Sequence, residues 1–86
     1  MASVTVRTLA GRKRAGEPIV ALTAYDATTA MLEQKAGVDL ILVGDSMNMA
    51  VLGEETTLTA DLEVMLAHTR AVSRGAPQTL VVGDMP

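Results

Sequence analysis

The sequence predicts an α/β fold with parallel strands in the order βαβαβ. Three observations predict it. First, three aliphatic runs, IVALTAYD (19–26), VDLILVGD (38–45) and TLVVGD (79–84), each end in an aspartate. Second, two segments with helical spacing and capping residues separate these runs. Third, the apolar content, 49% of 86 residues, comes from Ala, Val, Leu, Ile and Met, with no Phe or Trp and a single Tyr. Such side chains suit strands covered on both faces by helices. Strands joined through crossover helices run parallel.

The elements follow in chain order. TVRTLAGRKR (5–14) predicts a short helix with Thr5 as N-cap, weakened by Gly11. Its cluster of Arg7, Arg12, Lys13 and Arg14 reads as a solvated helix end, where cations complement the helix dipole. No cleavage signature supports reading it as a transit peptide. AGEP (15–18) is a turn, and the first strand follows. ATTAMLEQKAG (27–37) predicts a helix capped by Asp26 and closed by Gly37. The second strand, with five of its eight residues Val, Leu or Ile, reads as central and doubly covered. Ser46 to Thr59 forms a 14-residue loop, long enough to carry function. TADLEVMLAHTRAVSRG (59–75) predicts the second crossover helix. Thr59 is its cap, and Asp61 and Glu63 lie in the first turn. Leu62, Met65, Leu66 and Val72 form its apolar stripe, and Gly75 and Pro77 end it. His68 falls outside the stripe and is expected to face solvent. Met47 and Met49, flanking Asn48 in the loop, read as packing residues.

Composition excludes several classes. A net charge of −3 gives no general attraction to nucleic acid or anionic membrane. The absence of cysteine excludes disulfides, zinc–thiolate sites and cysteine nucleophiles, and fits a reducing cytoplasm. No apolar run approaches the roughly 20 residues of a membrane span. A chain this short buries only about 60% of its unfolded surface, so the unit is expected to be marginal alone.

Parallel strands present their carboxyl ends on one rim, where α/β folds build their sites. Here the rim carries Asp26, Asp45 and Asp84. Asp26 directly precedes a helix, and its simpler role is the cap. Asp45 precedes a long loop. Local sequence leaves Asp84 undecided between cap and ligand. Gly44 and Gly83 leave room beside the two acids for a ligand. Two carboxylates facing one pocket repel each other, and a divalent cation relieves that repulsion. Oxygen donors without His or Cys favour Mg²⁺. Ser46 has no histidine near it in sequence, so no Ser–His nucleophile is read. Its hydroxyl or backbone N–H remains available to a carboxylate. No Gly-rich phosphate loop is present.

ALTAYD (21–26), ILVGDS (41–46), VLGEETTL (51–58), HTRAVSRGA (68–76) and VVGDMP (81–86), taken together and in this order, resemble the ketopantoate hydroxymethyltransferase family. The resemblance runs from about Thr5 to the last residue. It implies a (β/α)8 TIM-type barrel of which residues 1–86 are the N-terminal part of one domain. It implies a decameric, cytoplasmic enzyme that moves a one-carbon unit from 5,10-methylenetetrahydrofolate to 3-methyl-2-oxobutanoate, giving ketopantoate for pantothenate synthesis. The metal ligands implied are Asp45 and Asp84, on Mg²⁺. Asp45, Ser46 and Asp84 are the implied keto-acid contacts, and Tyr25 takes a structural or pocket-lining part. Chelation on Mg²⁺ would acidify the C–H beside the keto group, and a base would then remove the proton.

Asn48 stands where the family more often has Gly, and is expected to keep a turn with positive φ. Thr59 stands where it often has Pro. A barrel of this type needs about 250 residues. The chain is therefore expected to be an N-terminal piece, inactive by itself, with the family's later glutamate ligand, lysine and catalytic base all beyond residue 86. Two other readings stay open. One is a related Mg²⁺-dependent keto-acid lyase or mutase barrel. The other is a non-enzymatic α/β unit, such as a receiver-like or interaction module.

Overall fold

Thr5 starts the first element by accepting the Thr8 N–H on its hydroxyl at 3.2 Å, and α1 then runs Val6–Ala15. The computed structural model describes residues 3–85. Pro86, which closes the VVGDMP motif, lies outside them. No residue of α1 is buried, but one of its bases is not a solvated charge. Arg12 pairs with the buried carboxylate of Asp39 and donates to the Pro18 carbonyl, with Glu17 at 3.7 Å. Asp39 also accepts the Val20 N–H at 2.9 Å. A buried carboxylate is tolerable only when it is paired and hydrogen-bonded in this way. Arg12 thus straps α1 to the edge of the sheet.

The strands are shorter than the apolar runs. They span β1 (Ala21–Thr23), β2 (Leu40–Val43) and β3 (Leu80–Gly83). At Val20 the backbone is already committed elsewhere. Its N–H goes to the Asp39 side chain, and its carbonyl accepts from Asp39 and Leu40 at 3.0 and 3.2 Å. The sheet is parallel throughout, in the order β1-β2-β3, with Leu22 opposite Ile41, Ile41 opposite Val81, and Val43 opposite Gly83.

Between β1 and β2 lies α2 (Ala27–Ala36). Asp26 caps it, accepting the Thr29 N–H at 2.7 Å and the Thr29 hydroxyl at 3.0 Å. Gly37 ends it at φ 90°, a left-handed conformation that glycine adopts without a Cβ penalty. Its partner crossover helix begins later than expected. Asp61, rather than Thr59, accepts the Val64 N–H at 2.8 Å, and the helix spans Leu62–Gly75. The long loop is not wholly irregular, because Met47–Ala50 forms one helical turn. In chain order these are α3 (Met47–Ala50) and α4 (Leu62–Gly75).

α2 and α4 pack on one another and on the same face of the sheet. Ile41 and Val43 of β2, Met47, Met65 and Val72 form the largest fully buried side chains there. The helices come very close at Gly75. A Cβ at that position would lie 2.2 Å from the Ala27 carbonyl oxygen. The expected stripe of α4 is only half covered. Met65 and Val72 are buried, whereas Leu62 and Leu66 are exposed. The expected double cover of β2 is also absent. Leu42 and Val82, paired in register on the face opposite Ile41 and Val43, are 39% and 42% exposed. No helix among the described residues is long and apolar enough to cross a membrane.

Gly75→Ala is expected to destabilise the chain by about 3 kcal/mol, the upper range for overpacking, because backbone must move to admit the methyl; urea denaturation of the two forms measures it. Two carboxyls make stability depend on pH in opposite directions. The Thr29 N–H and hydroxyl hold Asp26 below its ordinary 3.8, so its contribution is present above that value and is lost as pH falls through the lowered one. Burial, then the Asp26 charge, pushes Glu33 above its ordinary 4.5. Its buried Oε1 has no partner among the described residues. An acid raised in this way costs stability only once it ionises. Glu33→Gln is therefore expected to stabilise the chain slightly at neutral pH. The gain should vanish below 4.5, as read from melts across that range.

Candidate functional site

The parallel register carries two of the three rim acids together. The ladder extends one residue past β3, with the Asp84 N–H donating to the Val43 carbonyl at 2.9 Å. From there the Asp84 carboxylate reaches back. Its Oδ2 accepts the Asp45 N–H at 3.4 Å. Asp45 is half-buried and Asp84 is exposed. Asp26 does not join them, since its carboxylate is occupied at the start of α2.

Ser46 follows Asp45 and opens the turn of α3. Its Oγ lies 2.8 Å from the hydroxyl of Tyr25, the residue two past the end of β1. Tyr25 is itself fixed from behind: its carbonyl oxygen lies 2.6 Å from Nδ1 of His68 on α4. A carbonyl only accepts, so Nδ1 carries the proton. His68 is therefore half-buried and engaged, contrary to the solvent-facing position expected. The signal was present in the sequence: His68 is three residues after Met65 and four before Val72, on the buried side of the helix.

Three further expectations are corrected. Gly83 does leave room, but for α4: a Cβ there would lie 2.9 Å from the Thr69 hydroxyl. At Gly44 a Cβ would meet only ordinary contacts, the nearest 3.5 Å away at Ser46 Oγ. Asn48 does not adopt positive φ; no non-glycine among the described residues does. It lies in α3, buried, and its amide donates to the Thr56 carbonyl and to the Thr59 hydroxyl, both at 2.7 Å. Thr59 is thus a clasp for the loop and not a helix cap. Of the flanking methionines, Met47 is fully buried and Met49 is exposed.

The rim is open, with no enclosed pocket among the described residues. Its donors are two carboxylates and two hydroxyls. The ion pairs among the described residues belong to Arg12, remote from this rim in sequence and bonding. Among the described residues, no third His, Asp or Glu joins the pair in an arrangement able to hold a metal. Two carboxylates on adjacent strand ends, with oxygen donors only, fit a hard cation such as Mg²⁺ that keeps several waters. The serine hydroxyl beside them can donate to an anionic ligand.

Known proteins with this sequence pattern bear on what such a rim serves. A sequence model described as ketopantoate hydroxymethyltransferase matches residues 3–86. Over 83 residues the chain is 59% identical to the 3-methyl-2-oxobutanoate hydroxymethyltransferase of Magnetococcus marinus, covering 96% of this chain and 31% of that protein. The enzyme of the same name from Shouchella clausii is 56% identical over 82 residues, 95% of this chain and 29% of that protein. The rice protein named 3-methyl-2-oxobutanoate hydroxymethyltransferase 1, mitochondrial, is 55% identical over 83 residues, 96% of this chain and 23% of its own length. The chain thus spans roughly a quarter to a third of these curated relatives. Because the match runs through all three strand ends and both crossover helices, the chain belongs to the ketopantoate hydroxymethyltransferase family.

Proposed function

We propose that this chain supplies the Mg²⁺- and keto-acid-binding part of an enzyme that transfers a hydroxymethyl group from 5,10-methylenetetrahydrofolate to 3-methyl-2-oxobutanoate. The observation that carries the reading is the convergence of Asp45 and Asp84, joined by the Asp45 N–H to Asp84 Oδ2 contact at 3.4 Å. Asp45 and Asp84 would hold the cation, and both would face the keto-acid with Ser46. Bound Mg²⁺ would supply Lewis acidity toward the keto oxygen. The residues themselves position. Both carboxylates sit on the ends of hydrogen-bonded strands, so little ordering is left for the moment of binding. Ser46 offers its hydroxyl to the substrate carboxylate. No proton transfer is assigned to Asp45 or Asp84, and none of these residues is assigned as general base.

The barrel belongs to the same proposal. Its support is a sheet ordered β1-β2-β3 with both crossover helices on one face. The opposite face, with Leu40, Leu42, Leu80 and Val82, is apolar, and among the described residues Leu42 and Val82 on it stay exposed. Parallel sheets require both faces covered, and the side chains lining a barrel's interior do that for the inner one. A cytoplasmic homo-oligomer is supported by the family resemblance alone.

Mn²⁺ in place of Mg²⁺ tests the metal reading. It should broaden the backbone amide signals of Asp45, Ser46 and Asp84 and leave those of α1 sharp. Asp45→Asn or Asp84→Asn should weaken the metal by at least about tenfold, as loss of one carboxylate ligand implies. Selective broadening elsewhere would remove the site from this rim. Chelation by EDTA should abolish keto-acid binding, and the chain by itself should form no ketopantoate when both substrates and Mg²⁺ are present.

A further inference from the structure

We infer that Tyr25 is a positioning residue for Ser46, turning the serine hydroxyl toward the keto-acid, and that His68 holds Tyr25 in place for that task. The inference rests on the site reading above and deepens it.

Either hydroxyl of the Tyr25–Ser46 pair, 2.8 Å apart, can donate to the other. Chemistry decides between them. A phenol, whose oxygen lone pair is delocalised into the ring, is a better donor and a poorer acceptor than an aliphatic hydroxyl. Tyr25 therefore donates and the Ser46 oxygen accepts. That leaves the Ser46 proton free to point at a ligand oxygen. Without Tyr25 the serine rotor has three staggered positions and no local partner to choose among them.

The phenol is aimed by its backbone. The Ala24 N–H donates to the Leu42 carbonyl at 3.3 Å, which ties the chain beside Tyr25 to β2. His68 Nδ1 donates to the Tyr25 carbonyl at 2.6 Å from the helix side. The ring packs against the buried core. The result is one line of hydrogen bonds from α4, through the end of β1, to the end of β2.

Titration calorimetry with 3-methyl-2-oxobutanoate in the presence of Mg²⁺ tests this on the chain and on Tyr25→Phe, Ser46→Ala and the double variant. Tyr25→Phe should bind the keto-acid about five- to tenfold more weakly, the loss of one hydrogen bond. Ser46→Ala should lose at least as much. The double variant should bind no worse than Ser46→Ala, because Tyr25 acts only through the serine. Mg²⁺ affinity should be unchanged in all three, which a general loosening of the fold would not allow. Tyr25 is the only aromatic of the chain, so its emission gives a second readout. Keto-acid should alter it in the parent chain and not in Ser46→Ala.

If Ser46→Ala weakens binding and Tyr25→Phe does not, or if their losses add, the inference is wrong and the site reading stands. If Tyr25→Phe fails to fold, Tyr25 is structural and the inference is equally lost. If the parent chain does not bind the keto-acid, or Ser46→Ala binds it as tightly as the parent, the site reading fails and takes the inference with it.

Discussion

The rim depends on the register of β2 against β3. Val43 stands opposite Gly83, and the Asp84 N–H closes on the Val43 carbonyl one residue later. That bond sets how far Asp84 extends beyond the sheet, and so brings its carboxylate within reach of the Asp45 N–H. In a parallel ladder the bonds are evenly spaced and slanted. A slip of one residue would move every side chain of β3 to the other face. Val81 would then leave the core and Val82 would enter it, with Asp84 displaced from Asp45. The apolar pattern that buries Ile41 and Val43 therefore also fixes the geometry of the acids.

Much of this was legible because it is local. The caps at Thr5 and Asp26 and the left-handed Gly37 follow from residues within one turn, and the parallel order follows from the alternation of apolar runs with helices. What was not legible depends on partners distant in sequence. Arg12 reads as a solvated base until Asp39, 27 positions later, is found beside it. The strand ends could not be placed, because Val20 is diverted to a side chain that only the fold supplies. Thr59 and Asp61 are both competent caps by residue type. Asp61 takes the role because the Thr59 hydroxyl is already bound to Asn48, across a loop that sequence spacing alone cannot close. For the rim, Asp45, Ser46 and Asp84 were legible from strand ends and from family resemblance, and each touches another rim group, Asp45 through its backbone N–H. The Tyr25–Ser46 contact joins residues 21 apart and had no local signature.

Asn48 and Thr59, eleven positions apart near the two ends of the loop, touch. Asn48 and Thr59 are bonded at 2.7 Å, and the same amide reaches the Thr56 carbonyl. A proline at position 59 would restrict the backbone directly through its fixed φ, whereas a glycine at position 48 would leave it freer. Here side-chain hydrogen bonds connect the two ends of the loop instead. Buried polar atoms cost free energy when unpaired. The buried amide of Asn48 has both donors satisfied, so the arrangement carries no such cost on that side. The loop leaving Asp45 and Ser46 is thereby anchored close to its own start, which limits how far the rim serine can wander.

Helix α4 is the common support behind the rim. Through His68 it holds the end of β1, at the Tyr25 carbonyl. Its next residue, Thr69, lies against Gly83 so closely that no side chain would fit between them. Seven residues beyond His68, Gly75 meets the start of α2 at Ala27, directly after the Asp26 cap. Close-packed interiors transmit displacement instead of absorbing it, so these three contacts make the positions of Tyr25, Asp84 and α2 interdependent. The glycine before Asp84 is best understood in these terms. It lets a helix approach the strand, and that approach places the acid. A substitution on the buried side of α4 should then reach the rim without touching any ligand, whereas one at Leu62 or Leu66, on its exposed side, should not.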